Sequence, residues 1–68
     1  MNNFLFEDTI DGGFFFVQCE TVDEAYAIIW EEIACEHPCV TEDTLTLDYD
    51  YLGCYTDAQA EIMGYDTY

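Results

Sequence analysis

The 68-residue chain has no lysine and no arginine, one histidine and one proline, against sixteen Asp plus Glu, for a formal net charge of −16. Without cations to displace counterions from phosphates, direct nucleic-acid binding is excluded. An anionic membrane surface would repel the chain for the same reason. No apolar run approaches the roughly 18 residues of a membrane span, and no basic segment precedes an apolar one as in a secretory leader. Linkers, low-complexity tracts and internal repeats are also missing, so residues 1–68 are expected to form a single acidic domain.

What the chain does have is apolar: 51% of its residues are hydrophobic and 18% aromatic. An acidic disordered tail would be poor in aromatics, so a folded core is expected. A globule of this size exposes roughly 4,400 Å², or about one carboxylate per 275 Å². Duplex DNA, taken as a cylinder of about 10 Å radius, carries one charge per roughly 110 Å². If the acids gather on half the surface, the two densities agree within about a factor of two. Self-repulsion on this scale opposes folding, which points to a use of the charge on a partner.

The N-terminal segment reads as a β-hairpin, with Asn3-Phe4-Leu5-Phe6 and Phe14-Phe15-Phe16-Val17 as strands and Asp11-Gly12-Gly13 as the turn. Its register is left open by the sequence. Thr21 to about Glu36 reads as the main helix, opened by a Thr21/Glu24 capping box. Val22, Tyr26, Ile29 and Ile33 make its apolar stripe, bordered by Ala25 and Trp30. Asp23, Glu24 and Glu31 point away from that stripe, and Ile28 falls among these acids. His37-Pro38 ends the helix. From Thr44 to Leu52 the pattern alternates, with Leu45, Leu47, Tyr49 and Tyr51 on one face and Thr44, Thr46, Asp48 and Asp50 on the other. Gly53 is expected to break that strand. Thr56 and Gln59 form a second capping box on a short helix ending at Gly64, and Tyr65 to Tyr68 form an aromatic, acidic tail. The predicted fold is α+β, β-β-α-β with a short C-terminal helix, its three-stranded antiparallel sheet packed on one main helix.

Four groups of residues carry candidate chemistry. Asp48 and Asp50, two apart on one strand face, would project carboxylates about 6.7 Å apart. Glu24, Glu31, Glu42 and Asp43 extend that array. Paired acids also serve glycoside hydrolysis, but so short a chain offers little room for a pocket of about 300 Å³, and no enzyme activity is expected. Cys35, His37 and Cys39 are three zinc-type ligands within five residues, with Cys19 and Cys54 available as a fourth, although the spacing departs from that of a zinc knuckle. Disulfides are open too, since four cysteines allow three pairings. Asp48-x-Asp50-x-Leu52-Gly53 begins like an EF-hand loop, but Leu52 and Gln59 stand at the fifth and twelfth ligand positions, which excludes it. Clustered acids are expected to bind divalent cations only weakly and diffusely. Ile28 and Tyr55, with Tyr65 and Tyr68, are candidates for exposed apolar contacts, since aromatic anchors dominate interfaces that charge steers.

In composition and element order, with Asp23, Glu24, Glu31, Glu42, Asp43, Asp48 and Asp50 as its outward acids, the chain resembles the small acidic DNA-mimic inhibitors of phages and mobile elements, of the anti-CRISPR or anti-restriction type. These do not form one homologous family, and no residue role carries over by position. The resemblance implies a cofactor-free inhibitor, acting in the host cytoplasm as a monomer or homodimer. Its partner would be a basic DNA-binding protein such as a CRISPR effector or restriction nuclease, blocked in its DNA or PAM groove. The contacts would come from these acids together with Ile28 and Tyr55. Two other readings stand beside it: a zinc module using Cys35, His37 and Cys39, and an acidic regulator docking on a basic partner unrelated to nucleases.

Overall fold

The two aromatic runs pair as an antiparallel hairpin, β1 (Asn2–Asp8) with β2 (Gly13–Cys19), in a register that sets Phe4 against Val17 and Phe6 against Phe15. The computed structural model describes residues 2–68, and among these the hairpin is the centre of a four-stranded sheet of order β3-β1-β2-β4. Strand β3 (Tyr49–Tyr55) runs antiparallel to β1, and the two-residue β4 (Asp66–Thr67) runs parallel to β2. The described residues also form three helices, α1 (Val22–Glu32), α2 (Leu45–Asp48) and α3 (Asp57–Met63), and a 3₁₀ turn at Ala34–Glu36. None of these helices is long and apolar enough to cross a membrane.

Alternation along the hairpin produces two apolar faces. Phe4, Phe6, Phe15 and Val17 point one way, Leu5 and Phe16 the other, and all six are buried. Helix α1 covers the first face, where Ala25, Ile29 and Ile33 complete the core with Val40, Leu45 and Tyr49. On the second face Phe16 packs against Tyr55 and Tyr65, each with a centroid distance of 6.0 Å. Helix α3 contacts β1 on that side. The unbroken run Phe15–Val17 is therefore what a strand covered on both faces requires.

The α+β class holds, but four details of the predicted architecture do not. Residues 44–48 are not the start of a strand: Thr41 and Thr44 hydrogen-bond each other's backbone and side chains, and the Asp48 amide donates to Thr44 O at 2.8 Å. These bonds wind Leu45–Asp48 into one helical turn. Leu45 and Tyr49 are buried as expected, because a spacing of four suits both a helix and an alternating strand. Leu47 separates the two patterns, and it is 74% exposed. Gly53 does not end β3 either. It lies inside the strand, opposite Leu5, beside a bulge that inserts Leu52 between the pairs Leu5–Gly53 and Phe6–Tyr51.

The main helix stops at Glu32, short of Glu36. Glu31 and Glu32 occupy its last turn with no basic residue, against the negative end of the helix dipole. The chain then makes its 3₁₀ turn before His37 leaves the helical region (φ −120°, ψ 88°), as a residue before proline tends to. The residues after Gly64 are not a free tail. Tyr68 N–H donates to Phe16 O at 2.8 Å and Gln18 N–H to Tyr68 O at 2.9 Å, making β4 the fourth strand. Gly64 provides the left-handed reversal (φ 72°) that turns the chain from α3 back to the sheet, behind the complete Thr56/Gln59 capping box.

The helical turn at 45–48 makes unequal demands on its two leucines. Leu45→Ala should lower unfolding free energy by about 2–4 kcal/mol, as for a buried leucine, whereas Leu47→Ala should change it by less than about 0.5 kcal/mol. Urea denaturation of both variants checks this, and comparable losses would restore the strand reading.

Candidate acidic interaction surface

Thirteen of the sixteen carboxylates are exposed; Asp8 is buried, and Glu7 and Asp48 are half-buried. They share 4306 Å² of accessible surface, about one per 270 Å². On α1 the Thr21 side chain accepts from the Glu24 amide at 3.2 Å, and Asp23 and Glu24 sit favourably at the positive end of the helix dipole. Together with Glu31 they are exposed on the helix that covers the first sheet face. Glu42 and Asp43 are exposed in the tight turn that Thr41 and Thr44 close.

The other expected contact residues lie elsewhere. Asp48 ends α2, and its backbone carbonyl accepts from both the Thr9 amide (3.0 Å) and the Thr9 hydroxyl (2.8 Å), tying the hairpin turn to the entry of β3. Asp48 and Asp50 therefore do not form the evenly spaced row of one strand face, since only Asp50 lies in the strand. Asp50 stands directly across from Glu7, on the sheet face opposite α1, a carboxylate pair that the sequence pattern does not reveal because its members are 43 residues apart. Tyr55 is half-buried against Phe16 on the same side. Ile28 packs against the core beneath α1 and is not a free apolar contact. The acids of α1 and the pair Glu7/Asp50 thus occupy different sides of the molecule, and the charge wraps around it instead of collecting on one face. A hollow of about 360 Å³ lies between α3 and the sheet, bordered by Asn3, Gln18, Asp57 and Glu61. There the buried Asn3 amide donates to Asp57 Oδ1 at 2.6 Å.

Uncompensated charge shows in the groups it surrounds. Burial, reinforced by Asp50, raises the Tyr26 hydroxyl above its ordinary value, and that hydroxyl donates to Tyr49 O at 3.2 Å. Tyr49 is fully buried and its hydroxyl has no hydrogen-bond partner. Burial first, then Asp8, Asp48, Asp11 and Cys39, push it up to about 12. Burial and Glu24 likewise raise the Cys19 thiol, which donates to Thr21 O at 3.2 Å and is held in its unreactive protonated form.

All four cysteines are free, and Cys35, Cys39 and Cys54 are exposed. Cys35, His37 and Cys39 do not converge as a ligand set. The 3₁₀ turn and the non-helical backbone at His37 carry the imidazole to the hairpin turn instead, where Nε2 lies 3.4 Å from Asp11 Oδ2. Asp8, Asp11 and His37 are the one group of three potential metal ligands among the described residues. The sequence signal for the carboxylate half was a turn with acids three residues apart; its histidine comes from 26 residues further on. Comparison with protein families, with curated proteins and with solved structures finds no match for this chain.

Two outcomes follow from these electrostatics. Asp50→Asn relieves the facing carboxylates and should raise stability by about 0.2–1 kcal/mol, an effect that shrinks as salt is added. Chemical denaturation at low and high salt measures it. Folded Tyr49 keeps its proton to about 12, whereas in the unfolded chain a tyrosine loses it near 10. The unfolded state therefore sheds protons first, so this stabilising contribution is complete below pH 10 and lost as pH rises towards 12. Tyr49→Phe should flatten that alkaline decline in thermal melts. At neutral pH it should gain up to about 1–3 kcal/mol by removing an unpaired buried hydroxyl.

Proposed function

We propose that the chain is an acidic inhibitor that mimics the charge of DNA and occupies the DNA or PAM groove of a basic DNA-binding protein, a CRISPR effector or a restriction nuclease. The observation carrying this reading is the match of charge to length. The molecule measures 34 × 22 × 17 Å and bears a net charge of −16. A duplex is about 20 Å across, and the same 34 Å of its axis carries about 20 phosphates. Because the carboxylates are distributed around the body, a groove that encloses a duplex meets negative charge on every wall, which a single acidic face would not supply.

In this reading the chain is not an enzyme and works in the cytoplasm of the host cell, as a monomer or homodimer, in evasion of host defence. Asp23, Glu24 and Glu31 on one side and Asp50 on the other meet opposite walls of the groove, with Glu42 and Asp43 at a turn between them in the chain. The acids steer encounter more than they hold the complex. Docking on a basic protein unrelated to nucleases uses the same surface, and competition by duplex DNA separates the two.

A panel of purified CRISPR effectors and restriction nucleases, each offered the immobilised protein, tests the proposal. One member should bind, release the protein to excess cognate duplex, and lose at least about tenfold in association rate between low and high salt. The triple substitution Asp23→Asn/Glu24→Gln/Glu31→Gln should slow association several-fold and leave dissociation nearly unchanged. Binding indifferent to salt and to duplex would refute mimicry.

A further inference from the structure

At the closed end of the hairpin, two neighbouring carboxylates and a histidine from a distant part of the chain meet over the core face of the sheet. Asp8 closes β1 and is only 8% exposed; its Oδ1 accepts from the Ile10 amide at 2.9 Å and the Asp11 amide at 3.1 Å. Both bonds fall on one oxygen, so the carboxylate is fixed in orientation with Oδ2 left for another partner. His37 is held by its own backbone, whose N–H donates to Ala34 O and whose carbonyl accepts from Val40 N–H, each at 3.0 Å. Its side chain is 19% exposed and that of Asp11 66%. One ligand atom from each of the three lies within 4.8 Å of the others.

We propose that Asp8, Asp11 and His37 bind one divalent cation of the zinc class. The 3.4 Å between His37 Nε2 and Asp11 Oδ2 is long for a charge-assisted hydrogen bond, which is usually about 2.7–2.9 Å. It matches the edge of a tetrahedron around zinc, roughly 3.3–3.4 Å for bonds of about 2.0–2.1 Å. The imidazole selects such a borderline metal over magnesium or calcium, which prefer oxygen alone. A second observation points to the same place. Tyr49 stands directly across from Asp8 on the same sheet face, fully buried, with its hydroxyl unpartnered and in the field of Asp8 and Asp11. Three protein ligands leave a fourth coordination position open to water. The cation also neutralises carboxylates that no lysine or arginine in the chain can reach. The site differs from the cysteine set Cys35, His37 and Cys39 in every ligand except the histidine, and it does not rest on the inhibitor reading.

The test uses the full chain, stripped with chelator and titrated with Zn²⁺ or Mg²⁺ by calorimetry at about 150 mM salt, where diffuse attraction is screened. One Zn²⁺ per chain should bind at least about tenfold more tightly than Mg²⁺, and Co²⁺ should give a tetrahedral spectrum without a sulfur-to-cobalt band. His37→Asn and the exposed Asp11→Asn, each with an unchanged circular dichroism spectrum, should lower zinc affinity at least about tenfold, while Cys35→Ser/Cys39→Ser leaves it intact. Zinc no tighter than magnesium would mean diffuse acidic binding or a simple His37–Asp11 ion pair, and would overturn the proposal. So would full affinity in His37→Asn, or loss of zinc in the thiol variant.

Discussion

Sixteen carboxylates without one lysine or arginine mean that any two elements of this chain approach each other against Coulomb repulsion, and cohesion has to come from apolar contact. The hairpin provides it. Phe4, Phe6, Phe15 and Val17 build one interface and Leu5 with Phe16 another, so a single pair of strands anchors material on both sides of the sheet. Phe6 alone touches the rings of Phe15, Tyr26 and Tyr51. Aromatic pairs add to area burial without requiring opposite charge, which suits a chain that has no opposite charge to use.

The same constraint shapes the ends of the elements. Asp23 and Glu24 stabilise the start of α1, where negative charge is welcome, while Glu31 and Glu32 load its other end, where the helix gives way to a 3₁₀ turn. That early stop directs His37, the one histidine of the chain, away from its neighbouring cysteines and towards the acids of the hairpin turn. The turn is a point of unusual charge concentration, with Asp8, Asp11 and Asp48 all acting on the buried Tyr49 hydroxyl. A cation bound there would offset that charge locally, leaving the outward carboxylates of α1 exposed.

Much of the architecture was legible because its signals are local. The hairpin has glycine at its turn and aromatic strands, α1 has its Thr21 cap and a stripe at helical spacing, and α3 has a complete capping box with Gly64 behind it. The segment 44–52 misled for a definable reason. Leu45 and Tyr49 fit a strand and a helical turn equally well, and the mutual hydrogen bonds of Thr41 and Thr44 outweighed the alternation of Leu45, Leu47, Tyr49 and Tyr51. The strand β4 carried no pattern of its own, being two residues long and dependent on the exposed edge of β2. Of the expected contact residues, the acids of α1 are outward as the sequence implied, because helical periodicity is a local property. Ile28 is not, since its contact depends on how α1 sits over the sheet.

The amino-acid sequence by itself determined the total charge, the absence of any basic side chain, the aromatic core material and the capped helices. All of these follow from composition or from residues a few positions apart. Tertiary structure alone decided which carboxylates face each other and which groups share a site. Glu7 meets Asp50, and His37 meets Asp8 and Asp11, through strand register and the path of the loop after α1, contacts across tens of residues that no local period encodes. Pairing in register is a global property: it is set by the burial of both hairpin faces at once, and the charged residues are carried to their places by it.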